Sequence, residues 1–97
     1  MPKYVIERTV PGLGRMSAEE LSGLSAASNS VLSGMPRGIQ WVQSYATDDR
    51  LFCVYNADDP ELIREHARRG GFPCDRIRPV SAIIDPVTGE GAGDDRD

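Results

Sequence analysis

Hydrophobic and polar positions change period several times along the chain, and each change carries its own turn or cap signal. Lys3–Val10 is rich in β-branched and aromatic residues and stops at Pro11-Gly12-Leu13-Gly14, which reads as a strand followed by a double turn. Ser17-Ala18-Glu19-Glu20 has the spacing of a capping box, with Met16 and Leu21 placed for the hydrophobic staple. Leu21, Leu24, Ser28, Val31, Leu32 and Met35 then recur at helical spacing until Gly34 and Pro36. The stripe is lean, with Gly23, Ala26, Ala27 and serines around it, and predicts a helix that approaches its sheet closely. Ile39–Ala46 predicts a strand with one face made of Ile39, Trp41, Gln43 and Tyr45 and the other of Gln40, Val42, Ser44 and Ala46. The polar turn Thr47-Asp48-Asp49-Arg50 returns the chain as Leu51–Ala57, an antiparallel hairpin. Asp58-Asp59-Pro60-Glu61 opens a second helix that Gly70-Gly71 closes. A last strand is expected over about Arg76–Ile84, ending at Asp85-Pro86.

The order β-α-β-β-α-β is the split βαβ arrangement, so the expected class is α+β with a ferredoxin-like fold. Its antiparallel sheet carries two helices on one face. Residues 1–86 form this domain, and 87–97, rich in Gly and Asp, are expected as a flexible acidic tail. Several strands are apolar on both faces: Leu51-Phe52-Cys53-Val54-Tyr55, Tyr4-Val5-Ile6 and Ala82-Ile83-Ile84. One face remains for something other than the helices to cover, and a homodimer through the open sheet face is the expectation.

Length and charge narrow the function classes. Ninety-seven residues hold one small core, so a ligand or second copy is an expected source of stability. The net charge is −4, and the excess sits from Asp85 onward; the rest of the chain balances acids against bases. Arg68-Arg69 is the one adjacent basic pair, which is no footprint for nucleic acid or an anionic membrane surface. No apolar run reaches the roughly 20 residues of a membrane span, and Met1-Pro2-Lys3-Tyr4 leads straight into the first strand pattern. The expected location is the cytoplasm, with Cys53 and Cys74 as reduced thiols.

Chemistry centres on His66, the single histidine. At about 100° per residue it falls roughly 40° from Leu62, inside the apolar stripe and away from Glu61, Arg64, Glu65, Arg68 and Arg69. An imidazole there needs partners, and Glu7, Ser44, Tyr4 and Tyr55 are the candidates on the sheet. It can serve as a hydrogen-bonded core residue, a ligand or metal contact, or a general acid or base. No Gly-x-Ser-x-Gly elbow, phosphate-binding glycine fingerprint or complete zinc ligand set accompanies it. This leans away from an enzyme and indicates no organic cofactor. A pocket between sheet and helices would be lined by Tyr4, Trp41, Ser44, Tyr55 and His66, which suits a small-molecule binder or, by analogy of fold, a dimeric α/β-barrel monooxygenase or isomerase.

Lys3-Tyr4-Val5-Ile6-Glu7-Arg8, Trp41-Val42-Gln43-Ser44-Tyr45, Cys53-Val54-Tyr55 and Arg64-Glu65-His66-Ala67 through Gly71-Phe72-Pro73 resemble a bacterial family of small ferredoxin-like proteins named for a nickel-binding member. The resemblance spans nearly all of residues 2–86 and implies a homodimer that binds nickel or another divalent transition metal. It matches the histidine of the second helix to His66 and puts Glu7 where the nickel binder has a first-strand histidine. His66 and Glu7 are thereby the expected metal ligands, with glutamate the harder donor of the two.

Overall fold

The computed structural model describes residues 1–94. Its strands are β1 (Lys3–Thr9), β2 (Ile39–Ala46), β3 (Arg50–Ala57) and β4 (Arg76–Pro79), joined in the order β2-β3-β1-β4 with every neighbour antiparallel. Helices α1 (Ala18–Ser33) and α2 (Pro60–Gly70) cover one face. This is the ferredoxin-like α+β architecture that the order of elements predicts.

The caps form where the sequence places them. Ser17 Oγ accepts from the Glu20 amide at 3.1 Å while Glu20 Oε1 accepts from Ser17 N at 3.0 Å. Asp59 caps α2 through Oδ1, which accepts from Glu61 N at 2.8 Å, and Pro60 occupies the first turn. Gly71 ends α2 with φ 68°, a left-handed conformation that glycine adopts without cost.

Register divides each strand into two faces. Tyr4 pairs with Tyr55, Ile6 with Cys53 and Arg8 with Leu51 beneath the helices, where Tyr4, Ile6, Cys53, Tyr55, Ala57 and Ile63 form the core. The open face carries Val5, Phe52, Val54 and Tyr45 among Lys3, Glu7, Arg76 and Arg78. Both cysteines are free, Cys53 in the core and Cys74 half-buried.

Four expectations change. The register of β2 shifts between Trp41 and Gln43, so a bulge at Val42 reverses the alternation beyond it. The helix-facing residues are therefore Ile39, Trp41, Ser44 and Ala46, and Gln43 and Tyr45 turn to the open face. β4 ends at Pro79 instead of Ile84, because β1 starts at Lys3 and leaves no strand for residues 81–84 to pair with; Ile83 and Ile84 are exposed. Pro86–Asp94 coils as α3 where a flexible tail is expected. Its start is capped reciprocally, Thr88 N donating to Asp85 Oδ1 and Asp85 N to Thr88 Oγ1, both at 3.1 Å. The tail expectation for 95–97 lies outside the described residues. Finally, α1 does not close onto the sheet. It rests against α2, and Ser28 is its one buried residue.

Candidate functional site

The space left under α1 is a cavity of about 540 Å³, within the ordinary range of small-molecule pockets. Met16, Leu21 and Leu24 bound it on one side, and Trp41, Ser44, Ala46, Leu51 and Cys53 on the sheet side. At one end stand Arg8, Ser28, Tyr55, His66 and Phe72. Apart from Arg8, no lining residue among the described residues is charged at neutral pH.

Each member of that end cluster is set by a local feature of the chain. Arg8 follows Tyr4 and Ile6 on the inward face of β1, and only 3% of it is exposed. His66, on the inward face of α2, is 1% exposed. Tyr55 lies opposite on β3, and Ser28 descends from α1. The left-handed turn at Gly71 folds the following residues back, with Phe72 N donating to Ala67 O at 2.9 Å. The Phe72 ring thereby stacks obliquely on His66, centroids 5.2 Å apart, and the Arg8 guanidinium carbon sits 6.0 Å from the same ring. Pro73 O accepts from Arg8 Nη1.

The polar atoms form one chain of contacts. Arg8 Nη2 donates to Tyr55 Oη at 3.4 Å, Tyr55 Oη lies 3.3 Å from His66 Nδ1, and His66 Nε2 lies 3.1 Å from Ser28 Oγ. Arg8 has only donors, so Tyr55 Oη accepts there, which leaves its own proton available to His66 Nδ1. In that arrangement the ring hydrogen sits on Nε2, directed at Ser28. Burial, with the nearby Arg8 charge, holds the His66 pKa below its ordinary value, although the Ser28 backbone works the other way. Burial pushes the Tyr55 pKa up and outweighs Arg8. Burial opposes the Arg8 charge, but Tyr55 and Cys53 offset it and its pKa stands above the usual value. At neutral pH the end cluster is one cation with a neutral imidazole and phenol.

The expected site residues divide. Trp41, Ser44, Tyr55 and His66 line the cavity, while Tyr4 is packed in the core outside it. Of the four partners expected for His66, only Tyr55 bonds to it. Glu7 does not join His66. Alternation on β1 puts it on the open face, where Arg78 Nε donates to its Oε2 at 3.5 Å. A sheet-to-sheet dimer would not unite them either, since His66 is buried behind the opposite face. The His66 environment does not fit a metal: both ring nitrogens are engaged, and a guanidinium lies one residue away through Tyr55. Among the described residues no three His, Cys, Asp or Glu side chains gather as a ligand set.

Arg8, Ser28, Phe72 and Pro73 are site residues that sequence reasoning missed. Two of them left a signal: Arg8 is in phase with Tyr4 and Ile6, and Ser28 is a polar residue inside the apolar stripe of its helix.

Comparison with known proteins agrees with this architecture. The crystal structure of SCO4226 from Streptomyces coelicolor A3(2) superposes with a TM-score of 0.70 over 84% of this chain and 99% of that one, at 15% sequence identity. At that identity the likeness is one of fold. No curated protein matches the sequence. The family model described as nickel responsive protein SCO4226-like matches residues 4–80, and the chain belongs to that family.

Proposed function

We propose that this protein binds a small organic molecule in the cavity between α1 and the sheet. The observation that carries the reading is the cavity itself, about 540 Å³ with mostly apolar walls and its one charged side chain, Arg8, in a polar cluster. Leu21 and Leu24 are only half-buried on a helix that stands off the sheet, so an occupant would cover apolar surface that the fold leaves open. His66 is fully engaged and no activated nucleophile adjoins it, so binding without catalysis is the simpler assignment.

The test is thermal melting of the full chain against a panel of amphipathic small molecules, repeated on Leu24→Trp, which fills the cavity. A ligand should raise the melting temperature of the wild type and not of the variant. A panel without effect, or equal shifts in both proteins, overturns the reading.

Family membership supports a second reading, a nickel-related role exercised by a cytoplasmic homodimer joined through the open face. Val5, Phe52, Val54 and Tyr45 supply the apolar surface for such a contact, and Glu7 on the same face is the donor closest to it. Calorimetric titration of nickel into untagged protein, its Glu7→Ala variant and its His66→Ala variant tests this reading. Identical isotherms for the three would end a role for either residue, and sedimentation as a monomer would end the dimer.

A further inference from the structure

The charge at the end of the cavity identifies the kind of molecule it takes. Arg8 is 97% buried, carries five N–H donors, and bonds in the described structure to Pro73 O and Tyr55 Oη, both neutral acceptors. Among the described residues no carboxylate forms an ion pair with it. Glu7 points to the other side of the sheet. Asp75 feels the Arg8 charge, but it is fully exposed, does not line the cavity, and accepts the Thr9 N–H through Oδ2 at 2.6 Å. A buried guanidinium without an acid costs free energy that a fold normally recovers by pairing. Arg8 lines the cavity, among whose described lining residues there is no acid.

We propose that the cavity takes an apolar monocarboxylate, its carboxylate on the Arg8 guanidinium and its alkyl or aryl body between Leu24 and Trp41. The proposal rests on the small-molecule reading above and specifies its ligand. The guanidinium fork matches a carboxylate in two-point geometry. A single cation in an otherwise uncharged lining balances one negative charge, so a doubly charged phosphate ester would keep one charge uncompensated away from water. The apolar walls, with Leu21 and Met16 beside Leu24, reject a polyhydroxylated body and accept a hydrocarbon or aromatic one.

Octanoate, phenylacetate and 4-phenylbutyrate, each with its primary amide, are the probes, titrated by calorimetry into the full-length protein. At least one acid should bind roughly 10–100-fold tighter than its amide, the value of a charge-assisted pair over a neutral one. Arg8→Met should abolish that preference while leaving the amide's affinity within a few-fold. If Arg8→Met does not fold, Arg8→Lys, which keeps the charge and loses the fork, should show the preference reduced. Acid and amide binding equally to the wild type, with both blocked by Leu24→Trp, would overturn the carboxylate assignment and leave the small-molecule reading standing. A preference that persists without Arg8 would overturn its role. No binding by any probe would overturn the proposal, whereas the broader panel of melts decides the reading beneath it.

Discussion

Trp41 Nε1 donates to Ser44 Oγ at 2.9 Å, from one residue to another three positions along the same strand. Regular alternation would send residues three apart to opposite faces. The bulge at Val42 cancels one step, brings both side chains under α1, and gives the half-buried indole a partner. Ser44→Ala should leave that N–H unpaired and lower the free energy of unfolding by about 1 kcal/mol. Ser30→Ala, on the exposed side of α1, should stay within about 0.5 kcal/mol. Urea titrations followed by circular dichroism measure both.

His66 should make stability depend on pH. Its folded-state pKa lies below the ordinary 6.5, so the unfolded chain takes up the proton first. Its contribution is complete above about pH 6.5 and is lost as the pH falls from there towards the folded-state pKa. The slope is at most about 1.4 kcal/mol per pH unit. Glu20 and Asp75 are held below ordinary values of 4.5 and 3.8 by hydrogen bonds, so their losses fall in a more acidic window. Urea midpoints near pH 7.5 and pH 5.5 should differ for the wild type and coincide for His66→Gln; a flat wild-type profile would show that burial does not keep the imidazole neutral.

The two glycines that close α2 should respond to alanine for different reasons. At Gly71 the left-handed backbone makes Gly71→Ala strained, at about 1–2 kcal/mol. At Gly70 the backbone is helical, where alanine is normally preferred, but its methyl would meet the Phe72 ring. Gly70→Ala should therefore destabilise despite its better propensity. It should also displace Phe72 from His66, seen as a changed His66 ring resonance that Gly71→Ala alters less.

Ser17→Ala removes one half of the capping box and should cost about 1 kcal/mol in the same urea assay. Ser17→Asp, which can still accept from the Glu20 amide, should recover most of it.

Much of this fold was legible because its signals are local. The capping box at Ser17, Pro60 behind Asp59, and Gly71 each act within one turn of chain, and the phase of His66 follows from its own helix. The bulge at Val42 was not, since it is fixed by pairing with β3 and nothing in the pattern of β2 marks the extra residue. Arg8 was in phase with the core, yet a charge within an apolar alternation is ordinarily read as a strand end. A pocket between sheet and helices was legible through Trp41, Ser44, Tyr55 and His66, but its depth under α1 was not. A lean apolar stripe tells which side of α1 faces inward, and the distance at which it stands depends on its contact with α2.

That stance separates two jobs that small domains usually combine. Because α1 leans on its companion helix, the ladder of strands holds together whatever lies below the roof. Side chains at positions 21 and 24 face the cavity and belong to no strand, so changing them should leave every rung in place. On the binding reading proposed above, descendants of one scaffold would shelter different guests while the floor stays the same.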